Sequence, residues 1–331
     1  MASTYLSKTF SSDTTAGRRK WTWSAWVKRS ALSTESWLFH AYQDGSNENS
    51  IFFDTQDRLA YSIYEGGSNS NGRLTTTRKF RDTSAWYHIV VVWDSANSTA
   101  ADRMILYVNG ERLTAFDVNT NGGSNHQTLI NKSGVAHAIG RYGSGTYYFN
   151  GLMTHVHFTD FGSTDATTGE WKINTSPSVT YGTNGFFILK DGNSVTDQSG
   201  NSNNFTVGGG TLTQTEDCPS NVFATLNPLL QSGIGTLTNG NLSHASSSGI
   251  KHIASTLGMT TGKFYAEVKY TGGGNYNGVG IITEDAFSTT SNWYSTTNGA
   301  LLYYTDVYSG GNTYGTFATP STGDIIGIAL L

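Results

Sequence analysis

The sequence predicts an all-β protein of two antiparallel β-sandwich domains, jelly-roll-like and joined by a Gly/Ser/Thr-rich linker. Three observations lead there. Glycine is frequent (39 of 331 residues) while proline is scarce (4), so the chain turns often and relies on backbone freedom to do it. Aromatic residues make up 13% and charged residues 13%, the balance of aromatic-rich strands with Ser, Thr and Asn on their wet faces. Asn-Gly, whose easy access to positive φ suits tight hairpins, recurs from Asn71-Gly72 through Asn109-Gly110 and Asn150-Gly151 to Asn298-Gly299 between short apolar runs.

The elements follow in order. Trp21, Trp23, Ala25 and Val27 alternate with Thr22, Ser24 and Lys28, which describes a strand with one face in a core. Trp86–Asp94 and Met104–Gly110 are apolar on both faces, as in a strand inside a two-sheet stack, and the second ends on a hairpin pair. His88, within the first of these, is expected to be a hydrogen-bonded core residue. Shorter strands are expected at Ala138–Arg141 and Phe149–Leu152. No window has a strong helical period; Phe223–Leu230 has room for one helical turn before Pro228 interferes. Gly208–Gly210, the Thr-rich run 211–215 and Ser246–Ser248 mark loop or linker sequence. The expected organisation is a first sandwich over 1–215, with its closing strand and turn within 186–207, a linker over 216–249, and a second sandwich over 250–331.

Several classes are excluded. A net charge of −4 with no long basic run offers nucleic acid or anionic lipid nothing to steer towards. Cys218 is alone, so there is no internal disulfide and no zinc site built on two cysteines. Met1–Lys20 lacks the apolar stretch of a signal peptide and no segment approaches a membrane span, so synthesis in a reducing cytosol without membrane insertion is expected.

The run of strands from Trp86 to Phe158 resembles the laminin-G-like branch of the concanavalin A-like lectin/glucanase domains. Asp197-Gln198-Ser199-Gly200-Asn201-Ser202-Asn203-Asn204 is similar to a turn common in that branch, whose side chains bond their own backbone. Gly262–Val268, Asn277–Ile281 and Gly323–Leu330 look like the front two-thirds of a SPRY domain, a partner-binding sandwich. The two resemblances in this order, with the Ser-Gly-Asn turn and Asn221–Pro228, look like virion proteins of tailed, especially marine, bacteriophages. The resemblance implies a virion location in a tail fibre, appendage or capsid decoration. Its expected partners are other virion proteins, further copies of the chain and a glycan or protein of the host cell surface.

What the resemblance implies about chemistry can be set against the residues. Glucanases of this fold place Glu-x-Asp-x-(x)-Glu on one strand, so that an acid and a nucleophile share a face. This chain has no such run: Glu65 and Glu111 sit at turns, Glu284-Asp285 are adjacent, and Asp54 and Asp57 are three apart. A non-enzymatic protein is expected. His155 and His157 flank Val156 and share a strand face, where two polar side chains on a wet sheet surface suffice without a third zinc ligand. Asp94, Asn97 and Asp102, on one loop, are candidate calcium ligands because hard cations take oxygen donors; Asp44 and the pair Asp197 and Asn201 are others. Glycan- or partner-binding candidates combine an aromatic face with polar groups: Tyr42, Asp44, Tyr64, Tyr142 and Tyr147 in the first module, Trp293 and Tyr294 in the last.

Overall fold

A computed structural model describes residues 3–330, apart from 144, 146, 160–178, 191, 193, 233–234, 246–251, 273–277, 285–286 and 288–296. The chain divides into two compact units: Met1–Leu229 with Thr236–Ala245, and Leu230–Gly235 with Ser246–Leu331.

The first unit is a sandwich of two antiparallel sheets. Its strands are β1 (Tyr5–Thr9), β2 (Lys20–Arg29), β3 (Ser36–Asp44), β4 (Asn47–Phe53), β5 (Arg58–Tyr64), β6 (Arg73–Lys79) and β7 (Trp86–Asp94). They continue with β8 (Met104–Val108), β9 (Glu111–Arg112), β10 (Phe116–Thr120), β11 (Ala136–Ile139), β12 (Gly151–Thr159), β13 (Phe186–Ile188) and β14 (Thr206–Gly209). One sheet has eight strands in the order β10-β6-β5-β4-β3-β11-β1-β14, the other six in the order β13-β12-β2-β7-β8-β9.

The period-two pattern decides which side chains meet between the sheets. From β2, Trp21, Trp23, Ala25 and Val27 point inward and are fully buried. From β3 and β4, Phe39, Ile51 and Phe53 face them, with Ile89, Val91 and Trp93 of β7 alongside. The rings of Trp23 and Phe39 stack across the gap at 6.0 Å. Burying each such side chain contributes about 1.5–3 kcal/mol, so this row alone outweighs any surface ion pair.

The structure departs from the sequence reading in three places. Thr15–Arg19 forms an α-helical turn, started by Thr14, whose hydroxyl accepts the Gly17 N–H at 2.9 Å, and Ala100–Asp102 a 3-10 turn. Phe223–Leu230 makes no helical turn; Leu226–Ser232 is extended strand, in keeping with Pro228. His88 is not in the core: it lies opposite Trp26 on the outward face of the six-stranded sheet, and the two rings stack at 4.9 Å.

Residues of the segment 216–249 pack on the first sandwich. Asp217 is buried and pairs with buried Lys28 at 2.6 Å, Trp86 Nε1 donates to the other carboxylate oxygen at 2.9 Å, and Asn241 donates to Ser30 O at 2.9 Å. In the second unit, Phe264–Lys269 pairs with Ile325–Leu330 as an antiparallel ribbon. Gly278–Ile282, Gly299–Tyr303, Asp306–Ser309 and Asn312–Thr316 form a sequential four-stranded sheet. Among the described residues no helix is long and apolar enough to cross a membrane.

Candidate functional site

The outer face of the eight-stranded sheet is not the polar surface that alternation alone suggests. Register lines up three rows of side chains across it. Trp37, Phe52 and Ala60 form the first row, His40, Ser50, Ser62 and Arg73 the second, and Tyr42, Glu48 and Tyr64 the third. Side chains directly opposite across antiparallel strands lie about 5 Å apart, so Glu48 stands between two tyrosines.

Arg141 and Tyr148 form an isolated bridge, and Tyr142, next to it, lies over the first two rows. Tyr142 packs on Trp37 at 4.6 Å, stacks on His40 at 5.1 Å and meets Tyr42 edge-on at 6.1 Å. Tyr147 stands edge-on to Tyr142 at 6.2 Å and is 50% exposed. Trp37 and Phe52, stacked at 4.5 Å, are nearly covered and form the floor. Gly143 is needed here because a Cβ would stand 2.7 Å from the Tyr42 ring.

The polar atoms are organised by one histidine. The Gly143 N–H donates to His40 Nδ1 at 2.6 Å, so the ring proton sits on Nε2, which donates to Glu48 Oε2 at 3.2 Å. Burial holds His40 below its ordinary pKa against the opposing pull of Glu48, so the ring is neutral at pH 7. Tyr142 is pushed up to about 12, first by desolvation and then by the neighbouring Glu48. The assembly is therefore an oriented carboxylate framed by aromatic faces.

The sequence-predicted residues fall into place unevenly. Tyr42, Tyr64, Tyr142 and Tyr147 converge on this face or its rim. Asp44 sits at its corner, where β3 turns into β4, accepting from Ser46 N at 2.9 Å and Asn47 Nδ2 at 2.8 Å; the Ser46 N–H above all holds its carboxyl below the ordinary value. Trp293 and Tyr294 lie outside the described residues. Sequence reasoning missed Glu48, His40 and Trp37. No period-two signal announces them, because Glu48, Asn49 and Ser50 are all polar and Ile51, Phe52 and Phe53 all apolar, and on β3 a register shift between Trp37 and Phe39 breaks the pattern further.

The calcium candidates have other engagements. Asp94 pairs with Lys20 at 3.0 Å, Asp102 with Arg112 at 2.5 Å, and Asn97 Oδ1 accepts the Thr99 N–H at 2.9 Å. Each of the two carboxylates thus has one oxygen paired with a cation of the chain, while Asp94 Oδ1 is buried without a hydrogen-bond partner among the described residues. Asp197 accepts the N–H groups of Phe187, Ser199 and Asn203 at 2.8–2.9 Å and the Ser199 hydroxyl at 2.7 Å, which fills both oxygens. Asn201 donates to the carbonyls of Gly182 and Gly185, so this cluster is a turn. Among the described residues no three His, Cys, Asp or Glu side chains are grouped to hold a metal.

His155 and His157 do share the outer face of the six-stranded sheet, but they are half-buried there. A register shift between Thr154 and His157 puts His155 at φ 51°, and Phe187 covers His157 at 3.9 Å between ring centres. His157 Nδ1 bonds the Tyr181 hydroxyl at 2.8 Å. Of the carboxylates weighed for catalysis, Asp285 lies outside the described residues, and Glu65, Asp54 and Asp57 hold structural contacts. Glu65 holds Asn49 and His126, Asp54 caps the turn to Arg58, and Asp57 pairs with buried Arg29 at 2.9 Å.

No curated protein matches the chain. Among solved structures, a SAP-like pentraxin from Limulus polyphemus is 19% identical, with a TM-score of 0.36, over 49% of this chain and 72% of that one. A protein from Bacteroides ovatus with a proposed carbohydrate-binding role is 15% identical, with a TM-score of 0.45, over 65% of this chain and 59% of that one. Domains LG4-5 of the mouse laminin α1 chain are 13% identical, with a TM-score of 0.32, over 47% of this chain and 39% of that one. This chain thus spans less than two thirds of the latter two. Residues 3–167 match the sequence model of the concanavalin A-like lectin/glucanase superfamily. Together with the two stacked antiparallel sheets, that match identifies the first unit as a concanavalin A-like sandwich.

Proposed function

We propose that this protein binds carbohydrate on the outer face of its eight-stranded sheet and does not cleave it. The observation that carries the reading is the row Tyr42–Glu48–Tyr64 with Tyr142 and Tyr147 beside it. Tyrosine faces stack on the C–H side of a sugar ring while a fixed carboxylate accepts from its hydroxyls. Cleavage by a carboxylate pair needs a second acid across the scissile bond, and the residues in register with Glu48 are tyrosines.

The wider setting we propose is the virion of a tailed phage, in a fibre, appendage or capsid decoration. Supporting it are the laminin-G-like and SPRY-like resemblances in that order and the Asp197–Asn204 turn. One shallow face binds weakly, and several copies of the chain on one particle would raise attachment by avidity alone. A second reading, a structural adaptor whose aromatic face docks another virion protein, draws on the same tyrosines, since such residues are also enriched at protein interfaces.

A glycan array probed with the whole chain tests the proposal. Binding is expected, with at least a tenfold loss for Tyr42→Ala and for Tyr142→Ala, and no loss in chelator. Array binding indifferent to both substitutions would overturn this site. Mass spectrometry of purified phage particles tests the virion setting, and a chain absent from them would remove it.

A further inference from the structure

The charge layout of the platform points to the class of glycan it takes, an inference that rests on the carbohydrate-binding reading above. We propose that it selects neutral or amino-bearing saccharides and rejects acidic ones, such as those carrying uronate, sialate or sulfate groups.

The central polar group is Glu48, whose side chain is 14% exposed and stands between Tyr42 and Tyr64. Further carboxylates flank the platform: Glu35 accepts from Trp37 Nε1 at 3.4 Å, and Asp44 is exposed at the β3–β4 corner. The nearby cations keep their charge, since their hydrogen-bond partners are neutral oxygens, but they stand outside the Tyr42–Glu48–Tyr64 row. Arg141 lies with its guanidinium 4.1 Å from the centre of the Tyr5 ring, Nη2 donates to Gly143 O, and its charge is felt at His40 in the neighbouring row. Lys132 Nζ is held by Gln43 Oε1 at 2.8 Å. Arg73 shares the face but sits on β6, two strands from Glu48, and its Nε donates to Thr75 Oγ1 at 3.2 Å. Two strand spacings are about 10 Å, roughly a Debye length at physiological salt, so Arg73 does little to cancel the charge between the tyrosines.

Orientation sharpens the effect. The relay from Gly143 N–H through His40 aims a donor at Glu48 Oε2 without bringing a positive charge, because that imidazole is neutral. A ligand hydroxyl or ammonium finds an acceptor already oriented. A ligand carboxylate or sulfate laid on the same tyrosines meets a like charge, with no free cation within the row to offset it. Like charges about 4 Å apart repel enough, between bulk water and a half-desolvated surface, to weaken binding about tenfold or more.

The experiment uses the whole chain and three immobilised probes of similar length: a neutral glucan, a chitosan oligomer and a polyuronate. The expected result is binding to the first two and at least tenfold weaker binding to the third, with Glu48→Gln narrowing that ratio several-fold. Polyuronate binding equal to or tighter than glucan binding, lost in Tyr42→Ala, would overturn the charge selection while leaving the platform standing. A ratio unchanged in a Glu48→Gln protein that melts normally would also overturn it. Failure to bind all three probes, or binding of any of them that ignores Tyr42→Ala and Tyr142→Ala, would remove the platform reading and this inference together.

Discussion

At the scale of single residues, the most consequential polar groups of the first unit lie beneath its surface. Lys28 and Asp217 are both withdrawn from solvent, and Asp217 also accepts from Trp86 Nε1, so each charge depends on the other. Removing one partner leaves the other charge buried alone; Asp217→Ala is expected to cost about 3–5 kcal/mol in urea unfolding. Histidines set the acid limit. Burial lowers His137 to about 4; burial and then the neighbouring His155 lower His88 to about 4 and His157 to about 3. Below an unfolded pKa of roughly 6.5 the unfolded chain takes up protons that the folded chain refuses. Stability is therefore full above that value and falls as pH drops from about 6.5 towards 4. A melting series between pH 7.5 and 4.5 is expected to show this decline, with a shallower slope for His157→Gln. The burial of Lys28 was not legible from residue type alone: it alternates with core residues and reads as a surface position until a distant segment covers it.

At the scale of elements, strands and hairpins were largely legible, because a period of two and Asn-Gly turns act over a few residues. Trp21, Trp23, Ala25 and Val27 are buried as their alternation implies, and Asn109 and Gly110 both take positive φ, 50° and 86°. Irregularities were not. The register shifts on β3 and β12 move Trp37 and His155 off the simple pattern, and a bulge is fixed by the partner strand as much as by its own residues. The turn from Asp197 to Asn204 shows how a local motif serves a distant element. Its Asp197 carboxylate caps the Phe187 N–H of β13, and Asn201 and Asn203 both hold Gly185 O. Asp197→Ala strands several donors at once and is expected to cost about 3 kcal/mol or more, measured by thermal unfolding. Calcium is expected to leave the melting temperature unchanged, because the oxygens of this turn are already filled; a rise on adding calcium would place an ion elsewhere in the chain.

For the molecule as a whole, residues 216–229 and 236–245 belong energetically with the first sandwich. Asp217, Thr225 and Asn241 are buried within the first unit, and a Cβ on Gly240 would press on Leu152 at 2.8 Å. A fragment spanning 1–245 is expected to melt with the first-unit transition of the whole chain, and one spanning 1–215 several degrees lower; calorimetry of both checks this. By itself the sequence determined the fold class, the aromatic core and the tyrosines of the candidate site, since composition, alternation and turn chemistry are local properties. Only the tertiary structure decided which of those residues stand together. Glu48 joins Tyr42 and Tyr64 through strand register, and His40 is reached by Gly143 from 103 positions away. It also decided which carboxylates are already spent on cations of the chain. The physical reason is that a side chain's role depends on what neutralises, covers or orients it, and in an antiparallel sandwich those partners come from strands far apart in the chain.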